Sequence, residues 1–426
     1  MNSVFFKEHN FEETSVGKFP KDWEVVMLGD VAKVKGGKRL PKGEKFADFD
    51  TGFPYIRVVD FRNGTVDMSN LKYLIPETQK RIRNYIISSN DVYISIAGTI
   101  GLAGVIPPEL DGANLTENAA KLCNLERVEK KFLAYLLNSE VLRKQISGLT
   151  GKGTQPKLAL FRIESLKLPL PPIKEQKTLA EVLGVVDSAI ELADKVIAKT
   201  ERLKKGLMQH LLTRGIGHTE YKDTLIGKTP KTWQTVKLED VSDDFIGGGT
   251  PSTSNSEYWN GDIAWMTSAH ISGRLITAGQ KYITKKGVEG SATHIVPKNN
   301  LLVATRVGIG KVAINKIDIA ISQDLTGVTI NKEKALPEFL YWVLRNSRHK
   351  LSSLAQGSTI KGILREDLGR LSIPLPSLPE QKKIDEILST VDKKLELDRE
   401  ERTRLESVKR GLMDLFLTGK VRVKVV

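Results

Sequence analysis

The chain has 426 residues, 40% of them hydrophobic and 27% charged, which is too long for one ordinary domain and fits two to four folded ones. No apolar run approaches the roughly 20 residues of a membrane span, and the opening MNSVFFKEHNFEE lacks the basic-then-apolar layout of a secretory leader, so a cytoplasmic location is expected. A formal net charge of +14 favours a polyanionic partner, nucleic acid first.

In chain order, the first element is half of a repeat. Phe11 to Gly17 matches Tyr221 to Gly227, and Gly-Lys-Phe-Pro-Lys-Asp-Trp23 returns 210 residues later as Gly-Lys-Thr-Pro-Lys-Thr-Trp233. Leu28, Asp30, Val31 and Pro41 match Leu238, Asp240, Val241 and Pro251 at the same offset. The offset is 209 at Gly101 and Gly310 and settles at 205 by Thr154 and Thr359, so the lost residues belong to loops.

The zone that follows each entry motif is rich in Gly, Asn, Ser and short β-branched runs, such as Val92 to Ile96 and Leu301 to Thr305. These predict short strands punctuated by turns, with helices over Lys131 to Gln145 and Pro337 to Leu351. The fold class expected for this zone is α+β. Cys123 is the only cysteine, which excludes an internal disulfide or a cysteine-based metal cage, and its apolar flanks predict a core position. The six histidines show no paired metal-ligand spacing.

Leu168-Pro-Leu-Pro-Pro-Ile173 and Ile373-Pro-Leu-Pro-Ser-Leu378 are extended leads into about 40 residues without proline, each opening on Glu-Gln-Lys. Leu179, Leu183, Val186, Ile190, Ala193, Ile197 and Thr200 step by four and three, and after an off-seam Lys204 the series resumes at Leu207 and Leu211. The second copy places Ile384, Leu388, Val391, Leu395, Leu405, Leu412 and Phe416 alike, with Asp398 and Arg402 interrupting. This heptad pattern predicts two long helices packed as a coiled coil, antiparallel by the path of the chain, the alternative being two separate amphipathic helices each lying on its own globular domain. The basic groups Arg202, Lys204 and Lys205, and Arg404, Lys409 and Arg410, read as a solvated helix face near the helix ends, with DNA contact the alternative.

The expected layout is therefore two pseudo-two-fold related α+β domains, 11–170 and 221–375, joined by long helices at 171–214 and 376–418, with the C-terminus returning near the N-terminus. A helix of about 40 residues spans roughly 60 Å, and successive half-sites on one face of duplex DNA lie about 34 Å apart. Two domains carried by such helices suit a bipartite target, asymmetric because the globular zones diverge while the helices agree.

The entry motifs at Trp23 and Trp233, Ile246-Gly-Gly-Gly-Thr-Pro251, the proline leads, the Glu-Gln-Lys helix starts and the Gly206-Leu-Met208 and Gly411-Leu-Met413 helix ends together resemble the specificity subunit of type I restriction-modification systems, over essentially the whole chain. The resemblance implies two target recognition domains, each reading half of a split DNA sequence, with the helices setting the spacer. It further implies two modification subunits docked on the helical zone, an ATP-driven restriction subunit in some assemblies, and S-adenosylmethionine, ATP and Mg on those partners, with no cofactor on this chain. The first copy departs from the second at the glycine loop, where Lys35-Gly-Gly-Lys-Arg-Leu-Pro41 stands in place of Ile246 to Pro251.

Glycine-rich loops let backbone approach phosphate, and flanking cations or hydroxyls complete the contact. This selects Lys35, Lys38, Arg39 and Lys42 in the first domain and Thr250, Ser252, Thr253 and Ser254 in the second, with Lys152, Lys157 and Lys361 in matching later loops. Base-edge readers are expected among Arg57, Arg62, His270, Arg274, Arg306 and Gln323, polar side chains on loops after strands. No methyltransferase Asn/Asp-Pro-Pro-aromatic motif, Walker A loop or paired-carboxylate nuclease motif occurs, and Val307-Gly-Ile-Gly310 is only a fragment of a glycine-rich loop, so no catalytic role is expected of the chain. The alternative is a coiled-coil scaffold whose end domains bind protein or carbohydrate.

Overall fold

Each entry motif folds as a tight hairpin because a glycine at its turn takes a positive φ, +128° at Gly17 and +105° at Gly227. Phe11–Thr14 pairs with Gly17–Pro20, and Tyr221–Thr224 with Gly227–Pro230, in the same register. The hairpins lead to Trp23 and Trp233, both buried. The computed structural model describes residues 5–62, 64–151, 156–356 and 362–424.

The chain forms two compact units, Met1–Asp194 with Glu400–Val426, and Lys195–Arg399. Among the described residues no helix is long and apolar enough to cross a membrane. In the first unit, strands β1 (Lys33–Gly36), β2 (Val92–Ser95), β3 (Ala103–Val105) and β4 (Ala119–Cys123) form an antiparallel sheet in the order β3-β2-β4-β1. In the second, β5 (Ser242–Gly247), β6 (Asn300–Ala304), β7 (Val312–Asn315) and β8 (Leu325–Ile330) repeat that order, β7-β6-β8-β5, with Leu275–Ile276 added beyond β7. A mixed four-stranded sheet completes each unit, again with matching order.

The apolar β-branched runs at the centre of these sheets are buried on both faces, as their continuous rather than alternating pattern requires. Cys123 is buried. The helix expected over Lys131 to Gln145 is two, Lys130–Leu137 and Glu140–Leu149. Asn138 breaks it by turning its amide onto the Ala103 carbonyl at 2.7 Å, and the Ser139 hydroxyl caps the second piece. The second copy is likewise split, into Pro337–Asn346 and Arg348–Ser353.

The proline leads are strands, Lys167–Leu170 on Glu24–Met27 and Ser372–Leu375 on Gln234–Lys237. They deliver the chain into α1 (Ile173–Arg214) and α2 (Leu378–Leu417). The Glu-Gln pair at each helix start is the joint. Gln176 accepts from Glu129 N and donates to the carbonyls of Arg127 and Pro171, and Gln381 accepts from Leu336 N and donates to those of Lys334 and Pro376. Both amides are buried with oxygen and nitrogen satisfied.

The preceding glutamates hold the segment that leaves the other helix. Buried Arg422 takes Glu175 in two bonds and also binds Asp22 and Glu8, beside the Phe5–Lys7 and Val421–Val423 strand pair that joins the two chain ends. In the second unit Glu380 accepts from Ile216 N and Trp233 Nε1 and meets His218 Nε2 at 2.8 Å. Each helix ends on a left-handed glycine against the tryptophan of its unit: a Cβ on Gly215 would lie 2.7 Å from Trp233, and one on Gly419 3.3 Å from Trp23.

Within each unit the helix segments run antiparallel, since partners fall on one helix as they rise on the other. Asp187 and Asp194 of α1 meet Lys409 and Arg402 of α2, while Glu201 and Lys204 meet Arg399 and Asp392. The seam leucines Leu179, Leu183, Leu211, Ile384, Leu388 and Leu395 are buried as the heptads require. Lys204 corrects the sequence reading: it is neither off the seam nor solvated, but buried, paired with Asp392 and 5.4 Å from the Trp342 ring. Burial draws its pKa down, opposed by Asp392. Lys409 repeats the clasp, 2.6 Å from Asp187 and 5.5 Å from the Tyr135 ring. Arg202, Lys205, Arg404 and Arg410 are exposed.

Two substitutions test these joints. Arg422→Met leaves Glu8, Asp22 and Glu175 without their shared cation and is expected to cost about 3–5 kcal/mol of stability. Gln381→Leu strands the Leu336 N–H and is expected to cost about 1–3 kcal/mol. Urea unfolding of the full chain measures both, and an unshifted midpoint removes the corresponding tie.

Candidate nucleic-acid interface

Strand register decides which loops meet. In the first sheet Gly36 ends β1 opposite Ala120, and Ser95 ends β2 opposite Ala119. The loops at 37–42, 96–102 and 116–118 therefore leave the same end of the sheet, and Lys157 joins them through a bridge to Ala97. In the second sheet Gly247 lies opposite Thr326 and Ala304 opposite Leu325, gathering loops 248–254, 305–311 and 322–324 in the same way.

Glycine lets the first loop press onto the turn beside it. A Cβ on Gly37 would sit 2.1 Å from the Thr116 carbonyl oxygen, and one on Gly248 would sit 2.2 Å from that of Ile321. Backbone bonds seal the contact: Gly37 N to Ala119 O and Lys38 N to Leu115 O in the first unit, Gly249 N to Ile321 O in the second. An aromatic donor adds a further bond in each, Tyr55 Oη to Lys38 O and Trp265 Nε1 to Gly249 O.

The side chains on these frames differ. Arg39 Nε donates to Glu117 Oε1 at 2.7 Å, and Thr116 Oγ1 donates to the other carboxylate oxygen. Partial burial works against the Glu117 charge, but Arg39, a backbone N–H and Thr116 outweigh it, and its pKa lies below the usual carboxylate range. A depressed folded-state pKa means that the pair is intact above that range and is lost only as pH falls through the lowered value. In the second unit Thr250 Oγ1 donates to Gln323 Oε1 at 2.7 Å.

The other candidates divide between the sheet ends and internal work. Lys35 is exposed on β1 opposite Lys121, Lys38 lies 5.5 Å from the Tyr85 ring, and Lys42, Lys157 and Thr253 are exposed. Ser252 and Ser254 share a 2.8 Å hydroxyl contact, and Trp259 Nε1 fixes the Ser252 carbonyl. Arg306 is exposed beside Gly362, and His270 sits half-buried in the 3-10 turn that follows the Trp259–Met266 strand. Lys152 and Lys361 lie outside the described residues.

Of three arginines expected at base edges, Arg57 and Arg274 are engaged elsewhere, and Arg62 is exposed with an acid beside it. Arg57 turns its donors onto Asp60 and the Asn70 carbonyl. Arg62 lies 3.2 Å from Asp67 across its hairpin. Arg274 is turned onto α2, bonded to Asp385 and Ser389 and lying 5.0 Å from the Trp342 ring, so it ties the globular part to the helix rather than facing a groove. Glu117 is not among the residues selected from the sequence, yet its alignment with Gln323, next to Thr116 over Ser322, carries a signal.

The comparisons with known proteins fit this doubled frame. The type I restriction modification DNA specificity domain matches residues 20–202 and again 230–407. The chain belongs to that family. It is a type I restriction-modification specificity subunit, and the family places it in a DNA-recognition role apart from catalysis. The MjaX specificity subunit of Methanocaldococcus jannaschii is 31% identical, the match covering 99% of this chain and 98% of that one. The type I restriction enzyme MjaVIII specificity subunit of the same organism is 29% identical with the same coverage. The crystal structure of the type I restriction-modification system S subunit from M. genitalium, 15% identical, shares the fold with a TM-score of 0.58 over 93% of this chain and 96% of that one.

Because the two glycines are wedged against carbonyls, Gly37→Ala and Gly248→Ala are each expected to displace one loop and weaken DNA binding by about ten-fold, at a scale of 1.4 kcal/mol. Titration of a labelled target duplex measures this; unchanged affinity shows that the loops lie off the interface.

Proposed function

We propose that each sheet end faces duplex DNA and reads one half of a bipartite, asymmetric target, and that the paired helices set the distance between the halves. The observation that carries this reading is the recurrence of one loop frame at the same sheet end in both units, bearing different polar side chains. A shared frame with unlike tips suits two different half-sequences. The net charge of +14 adds a sequence-independent attraction to phosphate.

Modification subunits, two of them by the family resemblance, dock on the helical zone in this reading. Exposed apolar residues recur at matching helix positions, Leu192 with Leu397 and Leu203 with Val408, and solvent alone does not favour them there. S-adenosylmethionine for adenine methylation, and ATP and Mg for a restriction subunit where one joins, are carried by those partners, and the assembly acts in the cytoplasm. The candidate contacts are the loop residues gathered at the two sheet ends.

Two experiments test the proposal. The full chain should select a split sequence from random duplexes, with affinity falling steeply with salt, and should support methylation only once modification subunits are added; a scaffold for protein or carbohydrate shows no sequence preference. Inserting one heptad into both helices adds about 10 Å, about three base pairs of spacer at 3.4 Å per step. Methylome sequencing of a host carrying the variant reads the gap, and an unchanged spacer shows that the helices are not the ruler.

A further inference from the structure

Arg39 with Glu117, and Thr250 with Gln323, occupy the same place in the two frames. In each pair one member lies two residues beyond the wedged glycine, and its partner lies in the turn before the central strand, β4 or β8. Both pairs are closed by a hydrogen bond of 2.7 Å, and both present polar groups outward from the sheet end. We propose that they are matching base-reading positions: Arg39, steadied by Glu117, reads guanine in one half-site, and Gln323, steadied by Thr250, reads adenine in the other. This rests on the recognition reading above and adds the base identity and the coupling within each pair.

Hydrogen-bond chemistry decides the assignment. Glu117 engages only Nε of Arg39, which leaves the two terminal nitrogens as a fork of donors. Guanine offers the matching acceptors, O6 and N7, on its major-groove edge. The fork is also positioned, since Thr116 holds the second carboxylate oxygen of Glu117 and Tyr55 fixes the loop backbone at Lys38. A freely moving lysine satisfies phosphate equally well; a buttressed planar fork suits a base edge. In the second unit the Thr250 hydroxyl occupies one lone pair of Gln323 Oε1 and steadies the exposed amide. An amide offers one acceptor beside one donor, the complement of adenine N6 and N7.

The test exchanges the pairs in the assembled complex of this chain with its modification subunits. Arg39→Thr with Glu117→Gln gives the first frame the chemistry of the second, and Thr250→Arg with Gln323→Glu does the reverse. Selection from random duplexes, with methylome sequencing, reads the outcome. The first exchange should convert one G·C position of one half-site toward A·T, and the second one A·T position of the other half toward G·C. Each should change preference at that position by about ten-fold or more, with all other positions unaltered. Retention of both half-sites with a uniform loss of affinity, and a salt slope reduced by about one, assigns the pairs to phosphate and overturns the proposal.

Glu117→Gln alone separates positioning from folding, because it should lower selectivity at the same position and leave the salt slope unchanged; equal selectivity removes Glu117 from the account. The two exchanges lie in separate units, so a variant that unfolds in one leaves the other to decide. If the unaltered complex selects no split sequence, the recognition reading itself fails and this inference with it. A split sequence that survives both exchanges base for base overturns the inference alone.

Discussion

The constraint on which the rest depends is the joint where each long helix begins. Gln176 and Gln381 reach back into their globular zones and satisfy backbone groups that the turn before a helix leaves open. A buried amide that accepts one bond and donates two is directional, so it fixes how the helix leaves the domain as well as that it does. Glu175 and Glu380 add the second half, gripping the segment that exits the other helix. Two adjacent residues thus join three pieces of chain in each unit. The grips differ in chemistry: a guanidinium shared by three acids at Arg422, and a tryptophan N–H, a backbone N–H and an imidazole at Glu380.

A rigid joint gives the sheet ends their meaning. A binding loop must be held to within a fraction of an ångström, and each of these candidate loops is pinned from below by the wedge of a glycine on a carbonyl and from the side by a tyrosine or tryptophan donor. With the backbone fixed, the outward side chains are left to vary without disturbing the core. The divergence between copies falls there: Arg39 and Glu117 on one frame stand where Thr250 and Gln323 stand on the other, while Gly37 and Gly248 serve the same wedge.

What was legible in the sequence follows the same division. The repeat, the short strands, the proline leads and the long helices are local patterns, and Leu179, Leu183, Ile384 and Leu388 lie buried on the seam that their spacing required. The helix break at Asn138 was not legible, because it depends on a carbonyl of a distant strand. Residue type and loop position point to candidate site residues but do not reveal the partners that hold them. Arg57 and Arg274 look like groove readers until Asp60 and Asp385 are placed beside them. Glu117 is an acid in a basic protein, and only its bond to Arg39 gives it a role.

By spacing Lys204 falls off the heptad seam and Lys409 on a solvated helix face, yet both answer a problem the hydrophobic heptads create. A seam of leucines alone is nearly as well satisfied after a slip of one heptad, about 10 Å. For helices proposed to set a distance along DNA, a slip of that size would shift the spacing by about three base pairs. Lys204 meets Asp392 under Trp342, and Lys409 meets Asp187 under Tyr135, each at one place on its helix. A slip separates both lysines from their acids and strands charges in partly buried surroundings, at a cost of about 3–5 kcal/mol for each pair. An apolar pair of equal volume in either place favours folding as well or better, but it does not discriminate between registers. The lysine clasps thus trade some stability for a single helix register, which is the property that a ruler needs.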